Sequence, residues 1–404
     1  MSTSGKPFLV DRPDEPVRPA RTGSRDAHHC WPRQSTPITH PVRAERDHRG
    51  TGDSAACPGA LVVPTARTLD RVRATEPDDI DFANARVYAV PMRTPFRGIT
   101  VREGMLIEGP AGWGEFCPFT EYDDQVSAAW LATAIEQCAT GWPSPVRDRI
   151  PVNCTIPVVP AERAHEIAAA SGCGTAKVKV ADRPDSHQED LARVAAVRAA
   201  LGPGGAVRVD ANGAWDVDTA VRRIWELDRA AGGLEYVEQP CATIEELAQV
   251  RRRTRVRIAA DESIRRAEDP LRVAVAGAAD IAVIKCTPLG GVRRALEVAE
   301  AAGLPCVVSS ALETSVGLAG QLALAGALPH LDFACGLGTL SLFTGDLVPA
   351  AESLVTVDGQ LPVPTTPPRP DPDLLAEFEL TDPERRAWWR ARLARARAAL
   401  AAWR

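Results

Sequence analysis

The stretch that runs from AVRVDAN (206–212) through EYVEQP (235–240) to RIAADES (257–263) decides the fold. Each segment is a short apolar strand that ends in an acid: Asp210, Glu238 and Asp261. The acids stand 28 and 23 residues apart, about the length of one strand, one helix and two turns. TAKVKV (175–180) lies upstream with Lys177 and Lys179, and IAVIKC (281–286) lies downstream with Lys285. A repeating βα unit places these charges at the same end of successive parallel strands. In a (β/α) barrel that end is where active sites form.

Working outward, VNCTIPVV, PCVVSS and LDFACG complete a set of eight short apolar strands. Ala-, Leu- and Arg-rich helical stretches separate them, among them DLARVAAVRAAL and VRRALEVAEAAG. Alternation at this spacing means a parallel sheet, and eight repeats favour a closed barrel. An open doubly wound sheet would need a Gly-rich first βα turn, and VVPAERAH has none. The expected class is α/β, a modified TIM-type (β/α) barrel over residues 151–345 with an α+β capping domain over residues 76–150. In that cap, ARVYAVPM and GMLIEGP read as strands around a loop from Arg93 to Glu103, and a helix follows from about Tyr122 to Cys138.

Residues 1–75 are rich in Arg, Pro, Ser, Thr and Asp and lack apolar periodicity, so they read as a disordered tail or a mis-assigned start. Residues 346–404 read as a segment returning to the cap, followed by a basic helical end, WWRARLARARAALAAWR. Its tryptophans should dock that helix on its own domain rather than on a membrane surface.

A net charge of −6 argues against a nucleic-acid partner. Seven His include no HExxH pair, which excludes a zinc hydrolase of that type. Ten scattered Cys without a CxxC pair read as reduced, buried residues of a cytoplasmic protein. No apolar run suits a membrane span; Ala311 to Leu328 contains Glu313 and reads as a buried helix. The sequence sets no oligomeric state.

Three carboxylates converging at one barrel mouth need a cation, and oxygen-only ligands favour Mg²⁺. Lys177 and Lys179, two apart on a strand, share a face. Side by side they repel, which moves a lysine toward the range where it acts as a base. Asn212 shares the face of Asp210 and could orient the ligands, as could Glu262 from behind. Lys285 comes from across the mouth. A small-molecule carboxylate held between lysines over a metal suits abstraction of a proton α to that carboxylate.

With these residues in hand, the chain resembles the enolase superfamily in its muconate-lactonising-enzyme-like subgroup, over about residues 82–365. TAKVKV, VDAN, VEQP, ADES and IKCTPLGG carry the resemblance. Within the subgroup it is similar to the actinobacterial o-succinylbenzoate synthase family. VPMRTPFRGITVREGMLIEGPAGWGEFCPFTEYDD, SSALETSVGLA and CGLGT support this. The resemblance implies Mg²⁺ (or Mn²⁺) on Asp210, Glu238 and Asp261, with Lys179 as base and then acid. It implies Lys285 as a cation on the opposite face, Lys177 beside the base, and Arg97 in the substrate loop. It also implies Ser309, Ser310 and Gly336 against a substrate carboxylate. The implied reaction is dehydration of 2-succinyl-6-hydroxy-2,4-cyclohexadiene-1-carboxylate to o-succinylbenzoate in menaquinone biosynthesis.

Two other readings compete. A racemase or dipeptide epimerase of the same superfamily would use both lysines. Epimerases of the subgroup resemble one another in a DxD at the eighth strand, where HLDFACGLGT has a lone Asp332. A catalytically inactive metal-binding scaffold barrel would lack one of Lys179, Asp210, Glu238 and Asp261, and all four are present.

Overall fold

The computed structural model describes residues 79–265 and 272–403. The tail assigned to residues 1–75 lies outside them.

The cap begins with two long antiparallel strands, β1 (Asp81–Phe96) and β2 (Ile99–Gly109), followed by β3 (Gly112–Phe116). The loop expected from Arg93 to Glu103 is instead the tip of a hairpin, with Phe96 paired to Ile99 across two residues. Arg97 and Gly98 both take positive φ there (52° and 74°), the conformation that two-residue hairpins require. Helix α1 (Asp124–Ala139) is capped by Asp123, which accepts from Val126 N at 2.8 Å. It lies hard against the sheet: a Cβ at Gly114 would meet Ala134 O at 2.1 Å, so only glycine fits.

The parallel sheet runs in sequence order through β5 (Cys154–Ile156), β6 (Thr175–Lys179), β7 (Ala206–Asp210), β8 (Tyr236–Glu238), β9 (Ile258–Ala260), β10 (Ile281–Ile284) and β11 (Cys306–Val308). Pro157 follows β5 directly, so this strand is shorter than the apolar run that announced it. The strands are buried on both faces, as helix-covered parallel sheets are. α2 (Ala161–Ala170), α3 (His187–Leu201), α4 (Val217–Ala231) and α5 (Ile244–Arg253) cover the crossovers after β5, β6, β7 and β8. α5 starts on a complete capping box between Thr243 and Glu246.

The eighth strand is reduced to two residues. Cys335 bridges Val152 and Gly336 bridges Ser309, both in parallel sense. Cys335 N donates to Pro151 O at 2.7 Å and Gly336 N to Val308 O at 2.8 Å, which closes the barrel between its first and seventh strands. The seam is tight, since a Cβ at Gly336 would lie 2.7 Å from Ser309 Oγ.

Helix α6 (Ser315–Ala327) is buried along nearly its whole length. Its N-cap Thr314 makes no side-chain cap bond of its own. Glu115 of the cap does that work: it accepts from Thr314 N at 3.1 Å and from Gly317 N at 2.8 Å. From β2, Arg102 donates to Leu312 O at 2.8 Å and Ala311 O at 3.2 Å. Cap and barrel are therefore joined by buried polar contacts.

Past the barrel, β12 (Gln360–Pro362) pairs with β4 (Arg149–Pro151), and Leu380 N donates to Val87 O at 3.0 Å. The last helix, Pro383–Ala401, docks on the cap through the buried Trp389, whose ring stands edge-on to Phe116 at 6.2 Å. The described cysteines are free and buried. Among the described residues no helix is long and apolar enough to cross a membrane.

Candidate active site

Register places the charges. Lys179, Asp210 and Glu238 occupy one row across β6, β7 and β8. Asp261 follows β9 directly and Lys285 follows β10. All five, with Lys177 and Asn212, line one cavity at the mouth of the barrel.

Each carboxylate is engaged by a lysine. Lys179 Nζ lies 2.5 Å from Asp210 Oδ2, and Lys177 Nζ lies 2.8 and 2.9 Å from the two oxygens of Glu238. Lys285 Nζ lies 2.5 Å from both oxygens of Asp261. Asn212, in a left-handed conformation at φ 48°, accepts from Lys179 at 2.8 Å and donates its N–H to Asp210 Oδ1 at 3.0 Å. Its amide reaches Glu262 Oε1 at 3.3 Å. Glu262 is not part of the cavity lining and touches the site through Asn212.

Burial and charge pull these groups apart. Burial, joined by the charge of Asp210, pushes the Glu238 carboxyl up to about 7, although Lys177 opposes this. Burial also disfavours the charged form of Asp210, but Lys179 and Lys177 overcome it and hold Asp210 well below the usual carboxylate range. For Lys177 burial acts downward, and Glu238 and Asp210 outweigh it, so its ammonium is held above the ordinary value. Repulsion between paired lysines, the expectation from sequence, is overruled at Lys177 by the carboxylates beneath it.

The donor set fits a hard divalent cation. It is three carboxylates on consecutive strands, and the charges of Asp210 and Asp261 add to burial in raising Glu238. Among the described residues no three acidic, His or Cys side chains are already drawn together at metal-binding distance. The carboxylates lean to their lysines.

The cap and the later loops complete the cavity. Arg97 reaches it from the hairpin tip, stacked 4.4 Å over the Phe119 ring. Ser309, Ser310 and Gly336 line it from the barrel side. Two of these differ from expectation in what they have free. The Ser310 hydroxyl donates to Glu313 Oε2 at 2.7 Å and accepts from Leu312 N and Thr339 Oγ1, each at 2.8 Å, so its capacity is used. The Gly336 N–H is spent on the barrel seam. The Ser309 hydroxyl donates to Gly336 O over a long 3.4 Å, a weaker bond than those that hold Ser310.

Other residues of the site escaped the sequence reading. Phe96, Phe119, Tyr122 and Trp130 form an aromatic side of the cavity, and Thr155 enters from β5. The aromatic spacing in CPFTEY was the available signal. Glu313 is fully buried and gathers Ser310, Ala311 N, Thr287 and Gln321 about its carboxylate. Nothing local in the sequence marks it as a hub.

Comparison with known proteins agrees with this geometry. Residues 160–367 match the enolase C-terminal domain-like family, and residues 87–138 match the enolase N-terminal domain-like family. The o-succinylbenzoate synthase of Thermobifida fusca is 61% identical over 314 residues, covering 78% of this chain and 96% of that protein. The o-succinylbenzoate synthase of Mycolicibacterium smegmatis is 55% identical over 313 residues, covering 77% of this chain and 94% of that protein. Among solved structures, muconate lactonizing enzyme from Pseudomonas putida superposes with a TM-score of 0.61 at 24% identity, over 74% of this chain and 98% of that chain. The L-Ala-D/L-Glu epimerase from Bacillus subtilis gives 0.60 at 23% identity, over 72% and 96%. At that identity the two structures speak to the fold alone.

Proposed function

The chain belongs to the enolase superfamily, and from that membership we infer that it is a hydro-lyase that makes o-succinylbenzoate. Identity to curated o-succinylbenzoate synthases over nearly their full length carries the inference. The substrate is 2-succinyl-6-hydroxy-2,4-cyclohexadiene-1-carboxylate, and the setting is menaquinone biosynthesis in the cytoplasm. The racemase and scaffold readings are not favoured.

In this reading a cap of residues 76–150 closes over a barrel of residues 151–345, and residues 346–404 return to the cap. Asp210, Glu238 and Asp261 would hold a divalent cation, Mg²⁺ or Mn²⁺. When bound, it supplies a Lewis acid beside the substrate carboxylate. Lys179, as the free amine, takes the proton α to that carboxylate. The resulting ammonium returns this proton to the departing hydroxyl on the same face, so that water leaves and the ring becomes aromatic. Lys285 keeps its charge and stabilises the developing enediolate from the other face. Lys177 is a fixed ammonium that orients Glu238. Ser309 donates to a substrate carboxylate, while Arg97 and the aromatic side chains shape the opposite side of the cavity.

A direct assay for o-succinylbenzoate formation, with and without EDTA, tests the reading. Rapid formation abolished by EDTA and restored by Mg²⁺ is expected. No product from a folded, metal-supplied protein would overturn it.

A further inference from the structure

Phe119 and Tyr122 line the cavity from the loop that joins β3 to α1. The backbone of that loop is held by the far end of the chain. Arg392, in the last helix and 1% exposed, donates through Nη2 to Phe119 O and Tyr122 O, each at 2.7 Å, and to Ser127 Oγ at 3.0 Å. Its guanidinium lies 5.0 Å from the Trp388 ring and 5.6 Å from that of Trp389. The helix is itself anchored, since Trp389 Nε1 and Arg385 Nε reach Glu103 Oε2 at 2.8 and 2.7 Å. Arg392 does not line the cavity. It acts on the two residues that do.

We propose that Arg392 is a positioning residue for substrate binding, through which the last helix sets the aromatic side of the active-site cavity. The inference rests on the dehydration reading of that cavity. One planar, charged donor ties two carbonyls three residues apart and the first turn of α1. Without it Phe119 O keeps the Tyr122 N–H at 3.0 Å, but the loop loses its tie to the last helix and is free to shift. Phe119 and Tyr122 meet the substrate before and during reaction alike, so their displacement should raise KM and leave kcat nearly unchanged.

The test compares wild type with Arg392→Met and Arg392→Lys in the full chain, by steady-state kinetics, thermal unfolding and amide hydrogen exchange. Arg392→Met should raise KM about tenfold, the scale of one lost charged hydrogen bond, with kcat little changed. Faster exchange should be confined to residues 117–127. Arg392→Lys, which keeps the charge but has a shorter reach than Nη2, should fall between wild type and Arg392→Met. Arg395→Ala removes only an exposed pair to Asp124 and should match wild type. Unchanged KM and unchanged exchange in Arg392→Lys and Arg392→Met would overturn the proposal. So would a loss confined to kcat, or exchange that rises throughout the cap. A wild type that makes no o-succinylbenzoate would overturn the function reading instead, and the exchange pattern would still decide the role of Arg392.

Discussion

Lys179 and Asp210 face each other in the parallel register of two adjacent strands, with Nζ and Oδ2 2.5 Å apart. The residues we propose as base and metal ligand therefore start as an ion pair. A cation held by Asp210 would compete with Lys179 for that carboxylate and so leave the amine available to the substrate.

The two flanking lysines should separate by mutation. Lys179→Ala removes the proposed base and should cut dehydration by roughly 10²–10⁴-fold or more, because in this reading the same group also serves as acid. Lys285→Arg keeps a cation but does not readily lose its proton, and should retain measurable dehydration. It should lose any exchange of the substrate α-hydrogen that needs a base on that face. Solvent deuterium incorporation followed beside product formation checks both. Equal loss of dehydration in the two variants would mean the roles are not divided this way.

Glu238→Gln should sharply weaken Mg²⁺ binding and abolish turnover while the barrel stays folded. Lys177 can still bond the amide oxygen, so the circular dichroism spectrum should be that of wild type. Titration calorimetry with Mg²⁺ and the product assay measure the two effects. Full activity in the variant would remove Glu238 from the ligand set.

The neighbouring serines should behave differently. Ser310→Ala strips one donor from the buried Glu313 carboxylate and should cost roughly 1–3 kcal/mol of stability. Ser309→Ala should leave the melting temperature in place and raise KM. Thermal unfolding with kinetics on both variants tells them apart, and the reverse pattern would exchange their roles.

Glu115 links cap to barrel and gives a pH signature. Burial raises its carboxyl above the ordinary value of 4.5, against hydrogen bonds from Thr314 and Tyr88 that lower it. The folded protein holds this proton more tightly than the unfolded chain. The associated stability is fully present below about pH 4.5 and is lost as pH rises through the raised value. The stability of wild type relative to Glu115→Gln, which does not titrate, should therefore fall as pH rises from that point. Urea unfolding of both proteins across the range measures it, and a difference that grows in favour of wild type would contradict the sign.

The barrel and its charged row were legible because they repeat. Asp210, Glu238 and Asp261 each end an apolar strand at nearly constant spacing, and register turns that spacing into proximity. The eighth strand was legible only as an apolar run. That two of its residues pair depends on neighbours at both edges, which no local pattern records. Ser310 illustrates a second limit. Its residue type suits a ligand, but the hydroxyl is consumed by Glu313, Leu312 and Thr339, and that satisfaction is a property of packing. The aromatic side of the cavity stood in CPFTEY, yet aromatic residues in a strand-to-helix loop read equally as core.

The hold of Arg392 on Phe119 and Tyr122 spans 273 and 270 residues of chain. During synthesis, the loop proposed to face the substrate waits until the helix that carries Arg392 has been made. Contacts this distant in sequence form late and slowly. A nascent chain can assemble its barrel strand by strand and still lack a finished pocket. Competence to bind substrate is thus tied to the helix Pro383–Ala401, far along the chain from the loop that it holds.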